Sequence, residues 1–77
     1  MNLRLLKQFC ISKIHEYPML KEEISDFFYL AQDEIQEGGS DVHECNLAVS
    51  SIDTLIREHN AKINELELEL KQLKGQL

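Results

Sequence analysis

Seventy-seven residues, with 14 Asp and Glu against 8 Lys and Arg and a net charge of −6, make one small domain with a marginal core. A chain this short buries only about 60% of the surface it exposes unfolded, and its two cysteines allow at most one disulfide. No apolar run approaches the about 20 residues of a membrane helix, and the polar start MNLRLLKQFCISK lacks the apolar stretch and cleavage site of a signal peptide, so we expect a cytoplasmic protein with reduced thiols, off the membrane, that gains core by association.

The charge is uneven. Residues 1–13 hold Arg4, Lys7 and Lys13 and no acid, a charge of +3; residues 14–56 hold ten acids against Lys21, −9; residues 57–77 hold four of each sign. An acidic middle argues against direct binding of nucleic acid, which needs clustered cations. It suits solubility or a basic protein partner.

One Pro and three Gly divide the chain into three helical segments. In the first, expected over about residues 2–15, Leu3, Leu6, Cys10, Ile14 and Tyr17 recur at steps of 3 and 4, one face of a helix. Leu5 and Phe9 widen that face. The residue before Pro18 is pushed out of the helical region, which ends the segment. Pro18 then suits the first turn of a second helix, over about 18–37. Glu22 and Glu23 sit near its positive end. Leu20, Ile24, Phe27, Ala31 and Ile35 form its buried stripe, flanked by Phe28 and Leu30. Gly38 and Gly39 stop it, since a glycine just past a helix end adopts the left-handed conformation cheaply.

Ser40 or Asp41 can cap a third helix. The short connection makes the second and third helices antiparallel neighbours, an αα-hairpin, over which the first helix folds back. In the third segment Val42, Cys45, Val49, Ile52, Ile56, His59, Ile63, Leu66, Leu70, Leu73 and Leu77 alternate steps of 3 and 4 over five heptads. That is a coiled-coil seam, with Val42 at a and Cys45 at d. Leu47, Ala48 and Leu55 widen the face before Arg57, which suits contact with the other helices. Beyond Arg57 the seam narrows to a and d, which suits one partner helix. The chain therefore divides into a hairpin domain, 1–58 (third helix 41–58), and a coiled-coil extension, 59–77. An isolated helix of that length is marginal in water, so a second copy is the expected partner. Lys62 and Glu69 at g, with Glu67 and Lys74 at e, match oppositely charged positions in a parallel pair, and Ile at a with Leu at d favours the same orientation. Val49, Ile52, Ile56, His59, Ile63, Leu66, Leu70 and Leu73 are the expected dimer interface.

Chemistry finds little footing. His59 at a d position weakens the seam but can fix register, and two such residues facing each other would make an acid-sensitive joint. A side chain tilted to solvent, helped by Glu58 or Asn60, is the expected state. His43 and Cys45 lie two apart and do not share a helix face. Two Cys and three scattered His do not make the four-ligand pattern of zinc. The many carboxylates have no evident pocket to shift their pKa values. No catalytic residue, cofactor site or metal ligand is expected. The surface best suited to another protein is Glu22, Glu23, Asp26, Phe28, Tyr29 and Asp33 on the second helix, an aromatic pair ringed by charge.

The stretch LAQDEIQEGGSDVHECNLAVSSIDTLI, residues 30–56, resembles the short acidic helical-hairpin accessory proteins of lambda-like temperate phages. The resemblance covers about a third of the chain and rests on an acidic helix, the EGGS turn and the helix after it. It implies a non-enzymatic regulator, made early in infection, that binds a host factor, and it carries over no functional residue. The expected protein is thus all-α: three helices in a homodimeric bundle, acting as an adaptor for another protein. The alternative is a nucleic-acid-linked regulator. That could be a DNA mimic, or a hairpin dimer presenting Arg4, Lys7 and Lys13 to RNA or DNA.

Overall fold

The computed structural model describes residues 1–76, with only the backbone of Gln76. Its elements are α1 (Leu3–Glu16), a 3₁₀ turn (Pro18–Leu20), α2 (Lys21–Gln36) and α3 (Asp41–Gln76). Leu77, the last seam position, lies outside the described residues.

Each helix end has a local cause. Asn2 caps α1: its Oδ1 accepts the Leu5 N–H at 3.0 Å, satisfying one of the amides a helix start leaves open. At the other end Tyr17 leaves the helical region, at φ −129° and ψ 68°, as the following proline requires. Pro18 then opens a 3₁₀ turn rather than α2 itself. The second helix therefore starts three residues later than its proline suggests.

The turn after α2 shows why two glycines are needed. The Gly39 N–H donates to the Glu34 carbonyl at 2.8 Å and the Gly38 N–H to the Ile35 carbonyl at 3.1 Å, the paired bonds of a Schellman ending. Gly38 sits at φ +104°, where a side chain is strained. Gly39 is constrained differently: a Cβ there would lie 2.8 Å from the Glu34 carbonyl oxygen. Of the two candidate caps for α3, Ser40 takes the role. Its Oγ accepts the His43 N–H at 3.4 Å.

The two connections reverse the chain twice, so α1 runs the same way as α3. Leu6 and Cys10 from α1, Leu20, Ile24 and Ala31 from the turn and α2, and Cys45, Ala48, Ile52 and Ile56 from α3 form one buried cluster. No polar or charged residue is buried among the described residues. Phe27, Phe28, Ile35, Val49 and Leu55 pack half-buried around it. Three residues expected to broaden the apolar faces do not: Leu5, Leu30 and Leu47 are about half exposed or more. They lie at the edge of faces that only three helices have to cover. Val42 is exposed too, in the first turn of α3.

Burial stops abruptly along α3. Ile56 is buried and His59 half-buried, and every residue from Asn60 to Gly75 is exposed. The helix itself does not stop. It continues as one rod, and the molecule measures 59 × 18 × 17 Å.

Candidate functional site

The described residues contain no group of three or more His, Cys, Asp and Glu that could hold a metal ion. Cys10 and Cys45 are free and buried. Burial raises both thiol pKa values above the ordinary one, with Cys45 adding to the shift at Cys10 and Asp41 to that at Cys45. Neutral thiols are poor nucleophiles and poor ligands, so these two act as small core residues. The hollows on the surface are shallow and apolar. One of about 380 Å³ lies between α2 and α3, lined by Phe27, Leu47 and Leu55 with Glu58 at its edge. Leu30 and Leu47, both exposed, edge a second hollow beside it. The sequence placed Leu30 and Leu47 beside the core, and only the three-helix count leaves them uncovered.

The acidic surface resolves into a ridge. Glu22, Asp26, Tyr29 and Asp33 are spaced 4, 3 and 4, so they line one face of α2, opposite buried Ile24 and Ala31. All four are exposed. Glu23 lies a quarter-turn away, toward α3. Phe28 turns the other way, half-buried beside Cys10, Ile11 and Ile14 of α1, with its ring edge-on to Tyr29 at 5.6 Å. Phe28 therefore supports Tyr29 from below and offers little surface itself. Lys13–Glu16, at 3.8 Å, is the one ion pair among the described residues. The ridge carboxylates have no cation of their own.

The basic residues of α1 do not gather. Arg4 and Lys7 share a face, but Lys13, nine residues beyond Arg4, points to the opposite side of the helix. Lys13 is also engaged, half-buried against Glu16 and 5.6 Å from the centre of the Phe9 ring.

The seam of α3 splits between two tasks. Ile52 and Ile56 are core of the single chain, and Val49 is half-covered by it. The chain's own α1 and α2 already occupy that side. Ile63, Leu66, Leu70 and Leu73 remain open, at 39%, 57%, 57% and 57% exposure. At the boundary His59 does not tilt to solvent, contrary to expectation. Its ring meets Tyr17 edge-on at 5.9 Å, and its Nε2 is buried without a protein hydrogen-bond partner. Asn60 donates its side-chain N–H to the Tyr17 hydroxyl at 3.4 Å. This corner was missed from sequence, although Tyr17, an amphipathic residue just before a proline, marked the place.

No described helix is long and apolar enough to cross a membrane. Comparison with known proteins gives no family model, no curated protein and no solved structure that matches the chain; the fold and these two surfaces, the acidic ridge and the open seam, are what it presents.

Proposed function

We propose that the chain is a small, non-enzymatic homodimeric adaptor or regulator that binds a basic surface of another protein through α2. One observation carries this reading: Glu22, Asp26 and Asp33 stand exposed around Tyr29 on one ridge, with no cation paired to them among the described residues. A tyrosine supplies large, rigid contact area, and unpaired carboxylates steer and orient a cationic partner. The open seam of α3 supports the homodimer, because a row of half-exposed Ile and Leu on a projecting helix needs a mate. In the setting the phage resemblance implies, the partner is a host factor.

The test is quantitative capture from the source cell's extract by the wild-type chain and by the triple variant Glu22→Lys/Asp26→Lys/Asp33→Lys, checked by circular dichroism for equal helicity. The expected result is a basic protein held by the wild type, more weakly as salt rises, and lost by the variant. A partner retained in full by the variant rules out the ridge.

A further inference from the structure

The open seam has a definite position relative to the folded body. The heptad phase runs through His59 unbroken, so Ile63, Leu66, Leu70 and Leu73 continue the face of α3 that carries Cys45, Ile52 and Ile56, with a drift of only about 20° per heptad. That is the side on which α1 and α2 pack. The corner at Tyr17, Pro18 and Met19, where α1 passes into α2, therefore forms a step at the inner end of the seam, and Tyr17 is held there by His59 and Asn60.

The geometry points to a second copy docked antiparallel on this seam, the two tails overlapping between two bodies at opposite ends of a rod. The inference rests on the homodimer reading above and fixes its orientation. A parallel, in-register partner would lie beside α3 along its whole length. Coiled-coil helices cross at about 20° with axes 8–10 Å apart. From Leu66 back to Ile52 is about 21 Å of helix, over which such a crossing carries the axes sideways by only about 7 Å. The α1–α2 layers of both copies would have to fit in that space, and each layer needs 8–10 Å of its own. A straight parallel pair would bring the two α1–α2 layers into overlap.

The antiparallel pair meets no such obstacle. With Ile63 facing Leu73 of the second copy and Leu66 facing Leu70, all four open positions find apolar partners about a two-fold axis at Leu68. In that register Asn60 lies level with Gln76 of the second copy. The charge pattern, Lys62 with Glu67 and Glu69 with Lys74, favours the parallel alignment, but exposed ion pairs weigh little and do not offset overlapping backbones. The product is a rod with one acidic ridge at each end, a bivalent arrangement suited to bridging two basic sites.

Sedimentation equilibrium and small-angle X-ray scattering on the unmodified chain test this directly. Two 59 Å molecules overlapping by about 16 residues, or about 24 Å, reach ~95 Å end to end, whereas a parallel dimer stays near the length of one chain. Disulfide trapping gives an independent reading, since native Cys10 and Cys45 are buried. Mixing Ile63→Cys with Leu73→Cys should trap the mixed dimer in large excess over Ile63→Cys alone. A dimer with a maximum dimension near 60 Å, or efficient trapping by Ile63→Cys alone, overturns the orientation and leaves the homodimer standing. A monomer at all concentrations tested overturns both. If the cysteine variants fail to fold, the scattering of the unmodified chain still decides.

Discussion

Replacing His59 by Leu should stabilise the protein, although it removes a contact. The Nε2 of His59 is buried with no protein partner among the described residues, and an unsatisfied buried polar atom costs about 1–3 kcal/mol. Leucine at this d position removes that cost and continues the apolar seam. What is lost is the edge-on packing with Tyr17, worth about 0.5–1.5 kcal/mol for such ring pairs. Leucine makes up part of this by packing on the same ring. The net gain is about 1 kcal/mol, and for a domain of this size 1 kcal/mol moves Tm by about 4–8 °C. Thermal unfolding followed by circular dichroism at one fixed protein concentration measures it, because the Tm of a chain that pairs with itself depends on concentration. Tyr17→Phe is the control: it deletes only the long Asn60 bond of 3.4 Å and should move Tm by less than about 2 °C. A His59→Leu variant that melts below the wild type refutes the reasoning. It would mean that the imidazole makes a bond that outweighs its burial.

Three further perturbations have outcomes fixed by the same geometry. Gly39→Ala must push its Cβ against the Glu34 carbonyl oxygen, 2.8 Å away, and Gly38→Ala must hold alanine at φ +104°. Each should destabilise by about 1–2 kcal/mol in urea melts, and unchanged midpoints would show that the turn relaxes freely. Truncation after His59 keeps every buried residue, so residues 1–59 should remain helical while self-association is lost; a truncated chain that still dimerises would move the interface onto the body. Burial raises the Cys10 and Cys45 pKa values above the ordinary 9.0, so the unfolded chain releases these protons first. Their contribution is fully present below the ordinary thiol pKa and is lost as pH rises through the folded-state values. Urea midpoints from about pH 7 to about pH 10 should fall less steeply for Cys10→Ala/Cys45→Ala than for the wild type, and equal slopes would contradict the assignment.

The elements were legible because their boundaries are chemical. Pro18 and the Gly38–Gly39 pair act on the backbone itself, and steps of 3 and 4 fix a helical face whatever covers it. Ownership of that face was not legible. Periodicity assigns Ile52 and Leu66 to one seam, yet Ile52 is fully buried by α1 and α2, and Leu66 is open. What separates them is where the α1–α2 corner falls along α3, and that depends on the lengths of two other helices. The same limit applies to the site. Spacing placed Glu22, Asp26, Tyr29 and Asp33 on one ridge, but adjacency in sequence also grouped Phe28 and Glu23 with them, and 100° per residue carries those two to the flanks. Tyr17 meeting His59 across 42 positions has no local signature at all.

His59 stands where the seam changes owner, and its cost suggests a use. A heptad repeat tolerates sliding by seven residues, because every a then meets another a. In this chain a slip of α3 by one heptad against α1 and α2 would carry His59 into the place of Ile52, the most enclosed part of the core. An imidazole there would lose its solvent and find no polar neighbour, since no polar or charged residue is buried among the described residues. The present arrangement leaves one nitrogen unsatisfied; the slipped one leaves two, at about 1–3 kcal/mol each. Replacing His59 by Leu lifts that penalty from the slipped register as well as the native one. The variant should therefore melt higher yet be less uniform, with broadened or doubled amide cross-peaks along α3. A variant both more stable and as homogeneous as the wild type would show that the packing of Leu6, Ile24 and Ile52 alone sets the register, and that His59 has no part in it.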